Sequence, residues 1–420
     1  MHARRLMNDT AFWYLVSGLV FGSMAVLSKR IEPLPVSNSI IYLAVGFLLG
    51  PWVLGKMSMD LQQDSPLLET MAEIAVLISV FTAGLKLRIR QPQGRWWQAI
   101  VLTTVVMALT ILGIAVAGTQ LYGIPFLVAA LLGAILAPTD PVLASAVQVR
   151  SEKDKDWLRF NLTAEAALND GAAFPFVVLT LTLLTVPAMD FSWSIWFFRD
   201  VLWAILGSVV VGVIFGLVSA KVASFLRKDG ENNIVEDLFC LGILFSAYAC
   251  ALYAHTYGFV ACFLAGLYFR HVDTNIHLTN GETNIKTAPY LLHFSEQLER
   301  ILEFLTVIIV GILMAEVHFR KEHFYLAFIV IFLIRPLAFF MLRALGLVKK
   351  DWASVALISW LGVRGVGSIY YLTYAFNNGL PSQWHDVFAS VLVVVASSIV
   401  LHGVTSGPIM QSRVNLNFHH

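Results

Sequence analysis

Long apolar runs, separated by short polar or Pro/Gly-rich breaks, recur along the whole chain. A run of about 17 to 25 apolar residues is long enough for a helix to cross a bilayer. Cutting the chain at its breaks predicts about thirteen spans. They lie near residues 11–28, 35–54, 67–85, 97–121, 124–147, 159–184, 197–220, 236–254, 256–270, 298–316, 323–345, 352–376 and 386–408. The sequence therefore predicts an all-α polytopic membrane protein that contacts membrane lipid.

The composition agrees with this class. Of 420 residues, 58% are hydrophobic and 13% are charged, whereas soluble domains carry about a quarter charged residues. The net charge of +1 comes without a basic tail or patch, so no nucleic acid partner is expected. Three cysteines, an odd number, lie within apolar runs, and we interpret Cys240, Cys250 and Cys262 as small core side chains.

The distribution of Lys and Arg predicts the orientation. If the N-terminus is outside, the inner loops hold twenty basic residues, Lys86 and Arg270 among them, and the outer segments hold six. Positive charge marks the cytoplasmic side. We therefore expect the N-terminus outside and the C-terminus in the cytoplasm, in the cell (inner or plasma) membrane. The two remaining basic residues, Arg335 and Arg364, fall near the middle of spans.

Charged side chains at bilayer depth are costly and usually mark an ion or substrate pathway. Buried ion pairs that only hold helices together are the alternative explanation, and Glu69 and Glu73 in the third span also fit a position near an interface. The other candidates are Asp140 in the fifth span, Glu165 and Asp170 in the sixth, Arg335 in the eleventh and Arg364 in the twelfth.

The fifth span contains a break, in the sequence LLGAILAPTDPVLASAV. Pro138 and Pro141 bracket Thr139 and Asp140, and proline removes a backbone donor and clashes with the preceding turn. The helix is therefore predicted to unwind in mid-membrane. Irregular backbone at that depth is tolerated only where it is buried in protein or lines a cavity, so an ion site is expected there.

The twelfth span has a similar interruption, because Gly362, Gly365 and Gly367 surround Arg364. Seven spans separate it from the fifth. This spacing predicts two repeats of opposite topology, roughly 11–184 and 236–408, with 197–220 as the linker helix. The repeat hypothesis rests on the positions of the interruptions, since the two halves are not visibly alike.

In the sixth span, Glu165 and Asp170 differ by about 140° around a helix, so they cannot share a face. We expect Glu165 to pair with a buried arginine, and the spacing leaves both Arg335 and Arg364 possible. Asp170 is expected to face the cavity beside the broken fifth span. The amide of Asn169 is suited to tying down loose backbone.

Three motifs together resemble the monovalent cation/proton antiporters, in particular the NhaP-like sodium/proton exchangers of prokaryotes. They are PTDP at 138–141, Glu165 followed by ND at 169–170, and VRGVGS at 363–368. The resemblance implies that Asp170, beside Asn169, takes either the proton or the cation. It also implies that Thr139 and Asp140 line a crossing of the two unwound spans, which Arg364, Pro138 and Pro141 support.

The resemblance also implies that Arg335 is the partner of Glu165. An Asn before Asp170 is similar to the electroneutral branch of the family. Glu236 and Asp237 resemble acidic residues near the cytoplasmic funnel. Many members have Ser directly after the Glu, where this chain has Ala166, so the site loses one side-chain oxygen and the preference among Na⁺, K⁺ and Li⁺ stays open.

The expected function is secondary antiport of a cytoplasmic monovalent cation, Na⁺ or alternatively K⁺, for H⁺, in pH homeostasis. Burial favours the protonated carboxylate and a nearby cation favours the ionised one, so the two compete at Asp170. We expect no enzyme activity, no cofactor, no soluble regulatory domain and a homodimer. A cation channel would need no such carboxylate, and an intramembrane aspartyl protease would need two facing Asp residues.

Overall fold

The computed structural model describes residues 37–55, 57–91, 94–140, 148–149, 156–186, 191–226, 235–280 and 287–417, with isolated positions at 14, 15, 18, 19 and 22. Over these ranges the ordered elements are helices, and no strand occurs among them. The first predicted span and Pro141 fall outside this part of the chain, apart from those isolated positions in the span.

The helices follow the predicted spans from the second to the thirteenth. They are α1 Asn38–Leu49, α2 Ser65–Lys86, α3 Arg95–Tyr122, α4 Phe126–Leu136, α5 Trp157–Thr185, α6 Trp193–Leu226, α7 Glu236–Tyr253, α8 Gly258–Asn280, α9 Ala288–Met314, α10 Lys321–Ala344, α11 Trp352–Trp360, α12 Val366–Asn377 and α13 Ser390–Asn417. Within the described chain, seven helical segments are long and apolar enough to cross a membrane: α2, α3, α5, α6, α7, α10 and Ser382–Met410. The protein is therefore a multi-pass membrane protein.

Two predicted boundaries differ most from the observed ones. The ninth span was expected at 256–270, but α8 continues to Asn280, and α9 begins at Ala288 rather than near 298. Arg270 and Lys86, assigned above to loops, are buried. Arg270 donates to the carbonyl oxygen of Leu85 at 2.5 Å and also to that of Lys86, and so satisfies the last turn of α2. These helices contain charged residues whose partners lie inside the protein. A hydropathy pattern assigns such residues to loops, because it registers their charge and not their partners.

The helices form two groups that meet along a central interface. One group contains α3, α4, α5, α10, α11, α12 and α13, and the other contains α1, α2, α6, α7, α8 and α9. Small residues allow close contacts within the second group. A side chain at Gly46 would collide with the backbone of α9, and one at Gly84 with the backbone of α8. Such close approach is typical of helix packing in membranes.

Among the described helices, three of the long ones contain a π-helical segment. They are Leu102–Val106 in α3, Trp196–Trp203 in α6 and Ile329–Ile334 in α10. The segments in α3 and α10 belong to the fourth and eleventh predicted spans, which are seven spans apart. The two interrupted spans, the fifth and the twelfth, have the same separation.

Candidate ion-binding site

Both predicted interruptions are confirmed by the structure. Helix α4 ends at Leu136, and residues 137–140 after it are not helical. The twelfth span is divided into α11 and α12. The two irregular segments bind each other: Asp140 N–H donates to the carbonyl oxygen of Val363, and Val366 N–H donates to Asp140 Oδ2, both at 2.7 Å. The carboxylate of Asp140 therefore lies at the N-terminal end of α12.

Arg364 lies buried beneath this crossing, with 2% of its surface exposed. Its Nη1 donates to the carbonyl oxygens of Ala137 and, at 2.9 Å, of Pro138. These carbonyls lie just past the end of α4. The backbone N–H of Arg364 donates to Ser398 Oγ at 2.8 Å, which ties the irregular segment to α13. The structure thus places Arg364 and Pro138 at the crossing, and their supporting role stays a prediction.

Glu165 on α5 and Arg335 on α10 form a bidentate ion pair, with N–O distances of 2.9 and 3.0 Å. Both side chains are buried. Arg335 Nε donates in addition to the carbonyl oxygen of Ser359, near the end of α11, at 3.1 Å. A side chain at Gly362 would collide with this guanidinium. Arg364 binds carbonyl oxygens instead. Of the two arginines that the helix geometry left possible, Arg335 is therefore the partner of Glu165.

Asp170 is 3% exposed and faces α12, where a side chain at Gly367 would collide with its Oδ1 atom. The hydroxyl of Tyr371 donates to the carbonyl oxygen of Asp170. Within the described part of the chain, the Oδ1 atoms of Asp170 and Asn169 are buried without a hydrogen-bond partner. Consecutive residues of α5 therefore each carry a buried acceptor oxygen without a partner in this part of the chain.

Asn169 was expected to bind loose backbone, but its amide has a different partner. Asn169 Nδ2 donates to the side-chain oxygen of Thr139 at 2.7 Å. Thr139 belongs to the irregular segment after α4 and is buried. The amide therefore links α5 to the crossing through a side chain, while its carbonyl oxygen has no hydrogen-bond partner among the described residues.

A cavity lies between the two helix groups at this point. Its walls contain four carboxyl groups, two from each group, and few other polar side chains. The lining residues are Ala75, Val76, Ser79, Asp140, Asp170, Glu299, Leu302, Glu303, Val366 and Gly367.

Glu299 and Glu303 on α9 were not among the sequence candidates. Glu299 is buried, and its carboxylate lies 3.6 Å from Lys86 Nζ. Glu303 accepts a hydrogen bond from Ser39 Oγ on α1 at 2.6 Å. Both fall inside the predicted tenth span and four residues apart, hence on one helix face. The rule that selected the other charged residues at bilayer depth could have found them.

The remaining candidates lie elsewhere. Glu236 and Asp237 form the first turn of α7 and do not line the cavity, so their role in a funnel stays a prediction. Glu69 accepts a hydrogen bond from Asn377, and Glu73 accepts one from Tyr248. These two carboxylates sit in the half of α2 opposite to Lys86 and also outside the cavity lining.

Comparison with known proteins agrees with this architecture. Residues 16–412 match the model of the transmembrane sodium/hydrogen exchanger family, and the chain therefore belongs to that family. A K⁺/H⁺ antiporter NhaP from Alkalimonas amylolytica is 27% identical over 94% of this chain and 66% of its own length. Na⁺/H⁺ antiporter 2 from Zygosaccharomyces rouxii is also 27% identical, over 94% of this chain and 52% of its own length.

The chain thus spans only about half to two thirds of the length of these two relatives. Among solved structures, the sodium proton antiporter MjNhaP1 from Methanocaldococcus jannaschii has a similar fold. The TM-score is 0.73 with 18% identity, and the match covers 95% of both chains.

Proposed function

We propose that the protein is a secondary antiporter that exchanges a monovalent cation for a proton at Asp170. One observation carries the proposal. Asp170 is a buried carboxylate with an oxygen that lacks a hydrogen-bond partner among the described residues, in a cavity between two helix groups and beside two unwound helices. Such a carboxylate is poorly stabilised unless a proton or a cation joins it.

The neighbouring oxygen atoms favour a cation as the alternative to the proton. Asn169, the residue before Asp170, has a buried carbonyl oxygen without a partner among the described residues, and the hydroxyl oxygen of Thr139 lies 2.7 Å from the Asn169 amide nitrogen, just behind the cavity lining. Oxygen ligands are what hard cations prefer. A cation beside Asp170 stabilises the ionised form, and a proton removes the negative charge that attracts the cation. The two ligands therefore exclude each other, and this competition couples their transport.

The other charged groups at the crossing have fixed partners. Glu165 is committed to Arg335, and Arg364 binds carbonyl oxygens. Asp140 accepts from the first N–H of α12, where the helix dipole favours the ionised carboxylate. Among the carboxylates at the crossing, this leaves Asp170 as the one that exchanges a proton. We therefore propose electroneutral exchange of one cation for one proton.

We propose Na⁺ as the transported cation, with K⁺ as the alternative. The relatives include proteins named for each ion. Ala166 follows Glu165 where many family members have Ser, so one potential oxygen ligand is missing beside the site. The chemistry at Asp170 is the same for both ions, and the measurement below distinguishes them.

We further propose a homodimer in the cell membrane that serves pH homeostasis, with the N-terminus outside and the C-terminus in the cytoplasm. The distribution of Lys and Arg supports this orientation. Inverted repeats over 11–184 and 236–408, linked by 197–220, are supported by two pairs of features seven spans apart. One pair is the unwound segments, and the other is the π-helical segments of α3 and α10.

The test is reconstitution in sealed vesicles with an imposed pH gradient and an internal pH indicator. Adding Na⁺ or K⁺ should dissipate the gradient at a rate that saturates with the cation, and choline should have no effect. Ion flux without coupled proton movement would indicate a channel and contradict the proposal. The ion with the higher ratio of maximal rate to KM is the preferred substrate.

A further inference from the structure

We propose that Glu303 is a second cation-binding residue, which holds the incoming ion on the cavity wall opposite Asp170. This inference rests on the proposed antiport at Asp170 and adds a step before it. The cation first binds at Glu303 and then crosses the cavity to the buried site.

Glu303 faces the cavity from the wall opposite the crossing. It lies on α9, in the helix group that faces the crossing, and it lines the same cavity as Asp170. Asp170 contributes to that cavity a buried oxygen without a hydrogen-bond partner in the described chain. An ion that reaches this oxygen from the cavity must therefore pass between the α9 wall and the crossing.

The local charge distinguishes Glu303 from its neighbour. Glu299, one turn earlier on the same face, shares the cation Lys86 with Glu296. Lys86 Nζ lies 3.6 Å from the Glu299 carboxylate and 3.3 Å from the Glu296 carboxylate. The polar contact of Glu303 is the hydroxyl of Ser39, and no described Lys or Arg forms an ion pair with it. Most of the lone pairs of Glu303 therefore remain available to a cation.

The exposure of Glu303 fits a transient site. Its side chain is partly exposed, whereas Asp170 is 3% exposed. A cation at Glu303 can keep part of its hydration shell, and it must lose more water at Asp170. Ion passage requires sites that bind well enough for entry and weakly enough for release, and the partly exposed carboxylate of Glu303 fits such an intermediate site. Because Glu303 exchanges no proton in this scheme, the 1:1 stoichiometry is unchanged.

The test uses Glu303→Gln, which removes the charge but keeps the size and the capacity to accept from Ser39. Exchange is measured in everted membrane vesicles, in which the cytoplasmic side faces the medium, across a range of Na⁺ and K⁺ concentrations. The KM for the transported cation should rise by about fivefold or more, with the maximal rate within about twofold of the wild-type value. Glu303→Asp, which keeps the charge, should stay within about twofold in both parameters.

Glu296→Gln is the matched control. It removes one negative charge from the same helix, outside the cavity lining, and leaves Glu299 beside Lys86. An unchanged KM in this variant, together with the raised KM of Glu303→Gln, supports a specific site. An equal rise in both variants would show a general charge effect and overturn the proposal.

An unchanged KM in Glu303→Gln, or a loss of maximal rate at constant KM, would also overturn it. Glu303→Ala should raise the KM in the same way. Size-exclusion chromatography shows which of the two variants is folded, and transport by either folded variant tests the inference. Asp170→Asn separates the two proposals. Retained exchange in Asp170→Asn contradicts the antiport site, whereas an inactive Asp170→Asn with a normal KM in Glu303→Gln contradicts only the role of Glu303.

Discussion

The guanidinium of Arg335 donates two parallel hydrogen bonds to the carboxylate of Glu165, at 2.9 and 3.0 Å, in the interior of the protein. The same guanidinium binds the carbonyl oxygen of Ser359. One ion pair therefore joins α5 and α10 and reaches the end of α11 beside the crossing. This arrangement separates the two acidic roles on α5: Glu165 holds the scaffold, and Asp170 faces the cavity.

Glu165→Ala should destabilise the protein by about 3–5 kcal/mol, because Arg335 would remain buried and uncompensated. Adding Arg335→Ala should recover part of the loss. The measurement is a double-mutant cycle of unfolding free energies in detergent. If the double variant is as unstable as the sum of the two single variants, the ion pair contributes no coupling and its assignment is wrong.

Arg364→Ala should lower the exchange rate by about tenfold or more, because the carbonyl oxygens of Ala137 and Pro138 lose their buried donor and the crossing loosens. Arg364→Lys should be intermediate, since an ammonium keeps the charge but not the shape of the guanidinium. The rate is measured in reconstituted vesicles. Arg199→Ala, at an exposed pair with Asp200, serves as the control and should be within about twofold of the wild-type rate. An Arg364→Ala variant with a normal rate would refute the supporting role.

Ser398 supports the irregular segment from α13. Its Oγ accepts from Arg364 N–H and lies 3.1 Å from His402 Nδ1, while His402 Nε2 lies 2.8 Å from the carbonyl oxygen of Trp360. His402 Nδ1 also lies 2.8 Å from the carbonyl oxygen of Ser398 itself. The side chains of Ser398 and His402 thus connect α13 to the irregular segment at Arg364 and to the end of α11 at Trp360.

Ser398→Ala should therefore destabilise the protein by about 1–3 kcal/mol, since a buried backbone N–H loses its acceptor. Ser406→Ala on the same helix is the control. Ser406 donates to the carbonyl oxygen of its own helix, at His402, so its loss should cost about 0.5 kcal/mol or less. Thermal unfolding of the two purified variants compares them. Equal destabilisation would mean that the contact with Arg364 has no special role.

Exchange should be electroneutral, because Asn169 cannot titrate and Glu165 is held by Arg335. In vesicles with a clamped membrane potential, neither the rate nor the final pH gradient should follow the potential. Valinomycin with set K⁺ gradients provides the clamp when Na⁺ is the substrate. A dependence on potential would mean unequal charge movement, and Asp140→Asn and Glu303→Gln would then show which carboxyl group carries the second proton.

The sequence was informative where the cause of a structure is local. Pro138 and three glycines around Arg364 interrupt their spans through their own backbone preferences, and both interruptions are present. The choice between Arg335 and Arg364 as the partner of Glu165 depends on how distant helices pack, and helix periodicity alone could not make it.

The sequence gives wrong span boundaries where a charged residue has a partner far away in the chain. Arg270 caps α2 across more than 180 residues, and Lys86 lies against Glu299 on α9. A hydropathy pattern treats each such residue as the end of a span. Glu299 and Glu303 lie inside the predicted tenth span, where the rule for charges at bilayer depth applies, although that span was predicted to begin near 298 and α9 begins at Ala288.

The most direct measurement of the central claim is cation-driven proton movement by Asp170→Asn in reconstituted vesicles. The amide has nearly the size of the carboxyl group but neither releases a proton nor carries a charge to attract a cation. Size-exclusion and thermal-unfolding profiles like those of the wild-type protein would show that the variant is folded. The account predicts that folded Asp170→Asn gives no exchange with Na⁺, K⁺ or Li⁺ at any pH, and saturable exchange by this variant would contradict it.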